Sequence, residues 1–144
     1  MSEPRRVHWL PLAHHRREAA DRCVHLPVGH LRIALCARCL GLYPTLALVL
    51  VAQGAAQLGR VGAADWWLCL VGLAPALFDW GLSILGRAHG SNAMRLLTGV
   101  VLGVSLARGF WLYFRDPRCE IFWVQLGLLA MGAAAFAVVR WLHL

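Results

Sequence analysis

The chain has 144 residues, 60% of them hydrophobic and only 15% charged, with a formal net charge of +7. An ordinary soluble domain is about half apolar and about a quarter charged, so this composition excludes a soluble fold of this size, and with it long disorder. The length excludes a multidomain enzyme.

Residues 1–39 come first and hold 10 charged residues, seven of them Arg, against 11 in the other 105 positions. A basic cap on an apolar body reads as a cytoplasmic membrane flank. The head carries no nucleic-acid reader motif, so the expected partner is the lipid bilayer and no nucleic acid. The first long apolar run begins near residue 40, which leaves no secretory signal to read, and the head is expected to stay in the mature protein. His8, His14 and His15 read as solvated.

The cysteines are Cys23, Cys36, Cys39, Cys69 and Cys119, and the first three fall within seventeen residues beside His25 and His30. An odd number, so clustered, reads as a metal or redox group in a reducing compartment and not as a secreted disulfide framework. Cys36 and Cys39 form a Cys-x-x-Cys pair able to grip one ion from a tight turn. Cys23 and His25 would complete three sulfurs and one nitrogen, a set suited to zinc or iron, with His30 a spare nitrogen. The same pair lies beside Arg32 and Arg38 at a helix amino end, which suits thiol–disulfide exchange. The third reading is small residues packed at the membrane edge. Leu40 after Cys39 excludes a Cys-x-x-Cys-His haem motif. Cys69 and Cys119 have no partner at metal spacing and read as structural or incidental.

Four runs are long and apolar enough to span a bilayer, which takes roughly 20 residues: 40–59, 66–86, 93–114 and 121–142. Pro44 suits a first helical turn and would place the start of the first helix near Tyr43. Pro75 and Asp79 interrupt the second run. Short connectors make neighbours antiparallel and put both termini on one side. That side receives Arg5, Arg6, Arg16, Arg17, Arg22, Arg32, Arg38, Arg87, Arg95 and Arg140; the other receives Arg60, Arg115 and Arg118. The bias places both termini in the cytoplasm of a cell membrane, the inner one in a bacterium. Trp66, Trp67, Trp111, Trp123 and Trp141 near the span ends read as interface anchors. Gly99 with Gly103, and Ala130 with Ala134, read as small-residue contacts between helices.

Ionisable groups inside a membrane are costly and face a protein interior or a water cavity. Gly72, Pro75, Ala76, Asp79 and Ser83 share one helical face, so Asp79 is expected to point inward. An Asp79–Arg95 ion pair is the plain reading. A functional reading adds Ser91, Asn92 and Thr98 as a polar pocket below the cysteines. Arg108, on the other half, is expected to snorkel outward.

These residues resemble the family of small multi-pass membrane proteins known as domain of unknown function 2085. The resemblance rests on Cys23, His25 and Pro27, on Leu35-Cys36-Ala37-Arg38-Cys39-Leu40-Gly41-Leu42-Tyr43, on Asp79-Trp80-Gly81, and on Ser91-Asn92 with Arg95-Leu96-Leu97-Thr98-Gly99. Val24 separates Cys23 from His25 where the family reads Cys-His. The resemblance implies a multi-pass membrane protein and brings no established activity.

The sequence therefore predicts an all-α integral membrane bundle of four helices (40–144) with a cytoplasmic Cys/His-containing head (1–39). Its first functional reading is a zinc or iron site at Cys23, His25, Cys36 and Cys39, next to a pocket of Asp79, Ser91, Asn92, Arg95 and Thr98. Four protein ligands would make the ion structural, and an open position would suit hydrolysis or Lewis-acid work. The alternatives are a membrane thiol–disulfide oxidoreductase using Cys36 and Cys39, and a small-substrate transporter or lipid-binding module using the Asp79–Arg95 pocket. Four short spans would transport only as a homo-oligomer or for a small substrate.

Overall fold

The structure is a computed structural model that describes residues 7–9, 23–28, 31–59, 61–84 and 91–142. The chain runs β1 (Val7–Trp9), β2 (Cys23–Val28), β3 (Leu31–Cys36), α1 (Ala37–Ala55), α2 (Ala63–Val71), α3 (Ala74–Ile84), α4 (Asn92–Arg115) and α5 (Glu120–Leu142). Four helical stretches have the length and apolarity of a membrane span: Ala37–Ala55, Ala63–Ser83 (α2 with α3), Asn92–Arg115 and Glu120–Val139. The four-span expectation holds.

The chain is mostly helical, as expected, and the head adds a small sheet. Its strands lie in the order β1-β3-β2, with β1 parallel and β2 antiparallel to β3. Alternate residues of a strand face opposite sides, and the buried residues Cys23, Ala34 and Cys36 share one side. Pro27 sits on edge strand β2, where its missing N–H costs no ladder bond.

The sheet runs straight into α1, which starts at Ala37 and passes through Pro44. The expected start near Tyr43 is therefore too late, and Arg38 and Cys39 belong to the first turn. The other end of α1 closes on a Schellman motif. The N–H of Leu58 donates to the Gln53 carbonyl and that of Gln57 to the Gly54 carbonyl, both at 3.3 Å. Gln57 takes the left-handed position, at φ 50°, that glycine usually fills.

Helices α1 and α4 run side by side in the same direction, and glycine sets their spacing. A Cβ at Gly41 would land on the Leu96 carbonyl oxygen, and one at Gly99 on the Arg38 carbonyl oxygen. At Gly103 it would sit 2.8 Å from the Leu42 carbonyl oxygen. Backbones approach this closely in lipid only where side chains are absent, so Gly99 and Gly103 pack as their spacing predicts. Ala130 and Ala134 do not: both are exposed. Helix α5 instead meets α3 through Phe136, whose ring stacks edge-on against Trp80 at 4.9 Å.

The second span is broken at Gly72–Leu73. Proline has no N–H and clashes with the preceding turn, and Pro75 falls in the first turn of α3, where that is tolerated. The Leu73 N–H turns to the Leu70 carbonyl (3.2 Å), leaving the Cys69 carbonyl without its usual helical donor. Ser105 Oγ (2.9 Å) and Gln125 Nε2 (3.0 Å) donate to it instead. Gln125 Nε2 also donates to Ser105 Oγ at 2.9 Å. A backbone group freed inside a membrane must find such partners, and here it ties α2, α4 and α5 together. Cys69 and Cys119 pack with Leu112 and Ile121 in the core, the structural role expected of them.

Candidate functional site

The head brings its three cysteines together at the sheet end of the bundle. Antiparallel pairing sets Cys23 directly opposite Cys36. Cys36 also occupies the N-cap position of α1, and Cys39 lies three residues on, the spacing that places two side chains on one helix face. The Cys36 and Cys23 thiols both lie within electrostatic reach of Cys39. Cys23 and Cys36 are buried and Cys39 is half-buried.

His25 stands apart. It shares the strand face of Cys23 but pairs across the ladder with Ala34 and is exposed. Among the described residues, no group of three or more His, Cys, Asp or Glu side chains is arranged to hold a metal ion. The expected set of Cys23, His25, Cys36 and Cys39 is thus not gathered into a metal site, whether of four of its members or of three. His30 lies outside the described residues.

Arg38, between Cys36 and Cys39, donates to the Asp79 carboxylate of α3. The expected Asp79–Arg95 pair is therefore corrected. The early start of α1 puts Arg38 inside the helix and level with Asp79. Arg95 is buried (5% exposed) and makes no ion pair among the described residues. The other expected pocket residues divide by role. Ser91 is exposed and caps α4 by accepting the Met94 N–H at 3.3 Å. Thr98 is buried and donates to its own helix, to the Arg95 carbonyl at 3.1 Å. Asn92 alone joins the cysteines, its Nδ2 donating to the Cys23 carbonyl at 3.4 Å. Two buried polar atoms beside the thiols have no hydrogen-bond partner, Arg38 Nε and Asn92 Oδ1.

The opposite end of the bundle holds a network that the sequence reading missed. Arg108 does not snorkel outward. It is buried and forks onto Asp65, Nε to Oδ1 at 2.7 Å and Nη2 to Oδ2 at 3.1 Å. Its Nη1 donates to Gln53 Oε1 at 3.1 Å and to the Leu58 carbonyl at 3.3 Å. Asp65 also accepts the Gly62 N–H at 2.8 Å, so one carboxylate both caps α2 and neutralises Arg108. The available signal was Gln53 inside an otherwise apolar span, together with an Asp one residue before the expected start of the next. A cavity of about 830 Å³ opens beside this network, reaching from Gln57 and Arg115 to Val49, Leu68 and Val104.

A family model described as a predicted membrane protein, domain of unknown function 2085, matches residues 18–108. No curated protein matches, and no solved structure matches. The matched stretch contains the three head cysteines, Asp79, the α1–α4 glycine contact and Arg108.

Proposed function

The chain belongs to the domain of unknown function 2085 family of predicted membrane proteins, and on that premise we propose that its working centre is the thiol cluster at the sheet end, taking up one soft metal ion. The observation that carries this reading is that the ladder sets Cys23 opposite Cys36, with Cys39 three residues on in the first turn of α1; closing on one ion would take a rearrangement of their side chains. Three sulfurs suit zinc or iron in kind. A bound cation offsets the cost of ionising neighbouring thiols out of water. His25 is on the same strand face as Cys23 but exposed, so it would complete the set only by turning inward. Arg38 and Asn92 link the cluster to α3 and α4, and their unpartnered Nε and Oδ1 leave hydrogen-bonding capacity for a ligand beside it. Four protein ligands would make the ion a structural clasp; an open fourth position would make it a Lewis acid. The Arg bias puts this end, and both termini, on the cytoplasmic side of the cell membrane.

The nearness of Cys36 and Cys39, three residues apart across the N-cap and first turn of α1, favours one second reading, thiol–disulfide exchange by that pair. One preparation separates the two. The protein is purified in detergent without added metal, and its metal content and free thiols are measured together. About one zinc or iron per chain, lost on Cys36→Ser, is expected. No metal, with two thiols lost reversibly on oxidation, assigns the pair to redox chemistry. Metal unaffected by both Cys36→Ser and Cys39→Ser, or no metal and five inert thiols, overturns the proposal.

A further inference from the structure

We propose that the cavity at the end of the bundle away from the sheet binds a single-chain acidic amphiphile: an anionic head on Arg115 and a hydrocarbon tail between α1, α2 and α4. This site is separate from the thiol cluster and stands or falls without it.

The lining changes character along the helices. Gln57 and Arg115 line the end beside the connectors, the mouth, and Val49, Leu68 and Val104 line the end toward the middle of the bundle, the floor, which is open to the side at Leu68. Val104 precedes Arg115 by eleven residues of the same helix, which places the floor about 16 Å below the mouth. A volume of about 830 Å³ fits the range of pockets that enclose a small organic molecule.

The charges are graded too. Midway down, Arg108 is forked onto Asp65 and held by Gln53, so that pair presents no net charge to a tail passing it. Arg115 is different. Its guanidinium lies over Gly59, where a Cβ would come within 2.6 Å of Nη2. Its Nη1 contacts Gln57 Oε1 at 3.4 Å, and it has no carboxylate partner among the described residues. The neighbouring Asp116 spends one oxygen on the Arg118 N–H at 3.0 Å. A guanidinium at a cavity mouth matches a phosphate or carboxylate through paired N–H donors. A free anion would use the mouth alone; the apolar floor is what calls for a tail.

The test measures equilibrium binding of radiolabelled dodecyl phosphate to the full chain in a neutral maltoside detergent, with inorganic phosphate and dodecanol as competitors. Saturable binding of one molecule per chain is expected. It should weaken about tenfold on Arg115→Gln, the loss of one charge-assisted contact, and on Leu68→Trp, which fills the floor at a partly exposed side chain. Thermal unfolding of both variants checks that they fold. Competition by dodecyl phosphate but by neither competitor supports the proposal. Equal competition by inorganic phosphate assigns the mouth to a free anion and overturns it, and equal competition by dodecanol shows a merely greasy slot and overturns it. Non-saturable uptake that both folded variants share also overturns it.

Discussion

Asp65 and Arg108 are charged residues in an interior where neither would be stable alone. Desolvation of such a pair is costly, and removing one partner strands the other. Asp65→Asn should therefore lower the unfolding free energy by about 3 kcal/mol, read from denaturant unfolding in detergent micelles. Replacing both, Asp65→Leu with Arg108→Met, should cost clearly less than the sum of the single changes. A strictly additive pair would mean that the fork contributes nothing. Gln57 makes the opposite case. Its left-handed backbone costs a residue with a Cβ of order 1 kcal/mol, so Gln57→Gly should raise stability by about that much in the same assay. Its Oε1 also steadies Arg115, so the stabilised variant should bind dodecyl phosphate more weakly. The sequence marks the first feature only faintly, through Gln53 and Asp65, and the second not at all. Asp65 fell just before the apolar run that was read as beginning at Trp66, and a backbone angle at Gln57 leaves no mark in composition.

The elements divide into contacts set by backbone and contacts set by side chains. Where α1 and α4 lie together, Gly41, Gly99 and Gly103 each face a carbonyl oxygen or amide of the other helix, and backbone cannot swing aside as a flexible side chain can. Gly99→Leu should destabilise by at least about 3 kcal/mol, at the upper end of ordinary overpacking. Ala130→Leu, on an exposed face of α5, should lie within about 0.5 kcal/mol of the parent. The pair of variants tests whether small residues act by position or by spacing alone. Gly-x-x-x-Gly and Ala-x-x-x-Ala read alike in the sequence, and only the first is at a contact, because spacing fixes a face and not what lies opposite it. The same limit explains Asp79. Its inward direction was legible from its helical face, but its partner depended on where α1 begins, and the strand–helix junction at Cys36–Ala37 lies earlier than apolar composition alone suggests. Arg38 therefore holds the place that Arg95 was expected to take. The break at Gly72–Leu73 was half legible, since Pro75 announces it, while the capture of the Cys69 carbonyl by Ser105 and Gln125 needed three helices in view. Gln125→Leu leaves that carbonyl a single donor and should cost about 1–2 kcal/mol.

At the scale of the whole molecule, the two acids of the second span are fixed at its two ends. Asp65 is held by Arg108 of α4, and Asp79 by Arg38 of α1. The broken span is thereby pinned in depth against the parallel α1–α4 pair, with its ion pairs at both ends and the neutral Ser105–Gln125 network at the break between them. The two ends differ in kind: thiols and a sheet at one, a guanidinium-mouthed cavity at the other. The compartment proposed for each end rests on charge, because Arg flanking short connectors is retained in the cytoplasm. By position in the sequence, ten of the fourteen Arg fall before the first span, about the connector between the second and third spans or near the C-terminus, three fall in the other two connectors, and Arg108 is paired inside the bundle. A C-terminal green fluorescent protein fusion should therefore fluoresce, while a C-terminal alkaline phosphatase fusion, which needs an oxidising compartment to form its disulfides, should be inactive. The same phosphatase inserted after Arg118, between α4 and α5, should be active. The reverse pattern would place the cysteines in an oxidising compartment, where a reduced thiol cluster does not persist, and would move the amphiphile cavity to the cytoplasmic face.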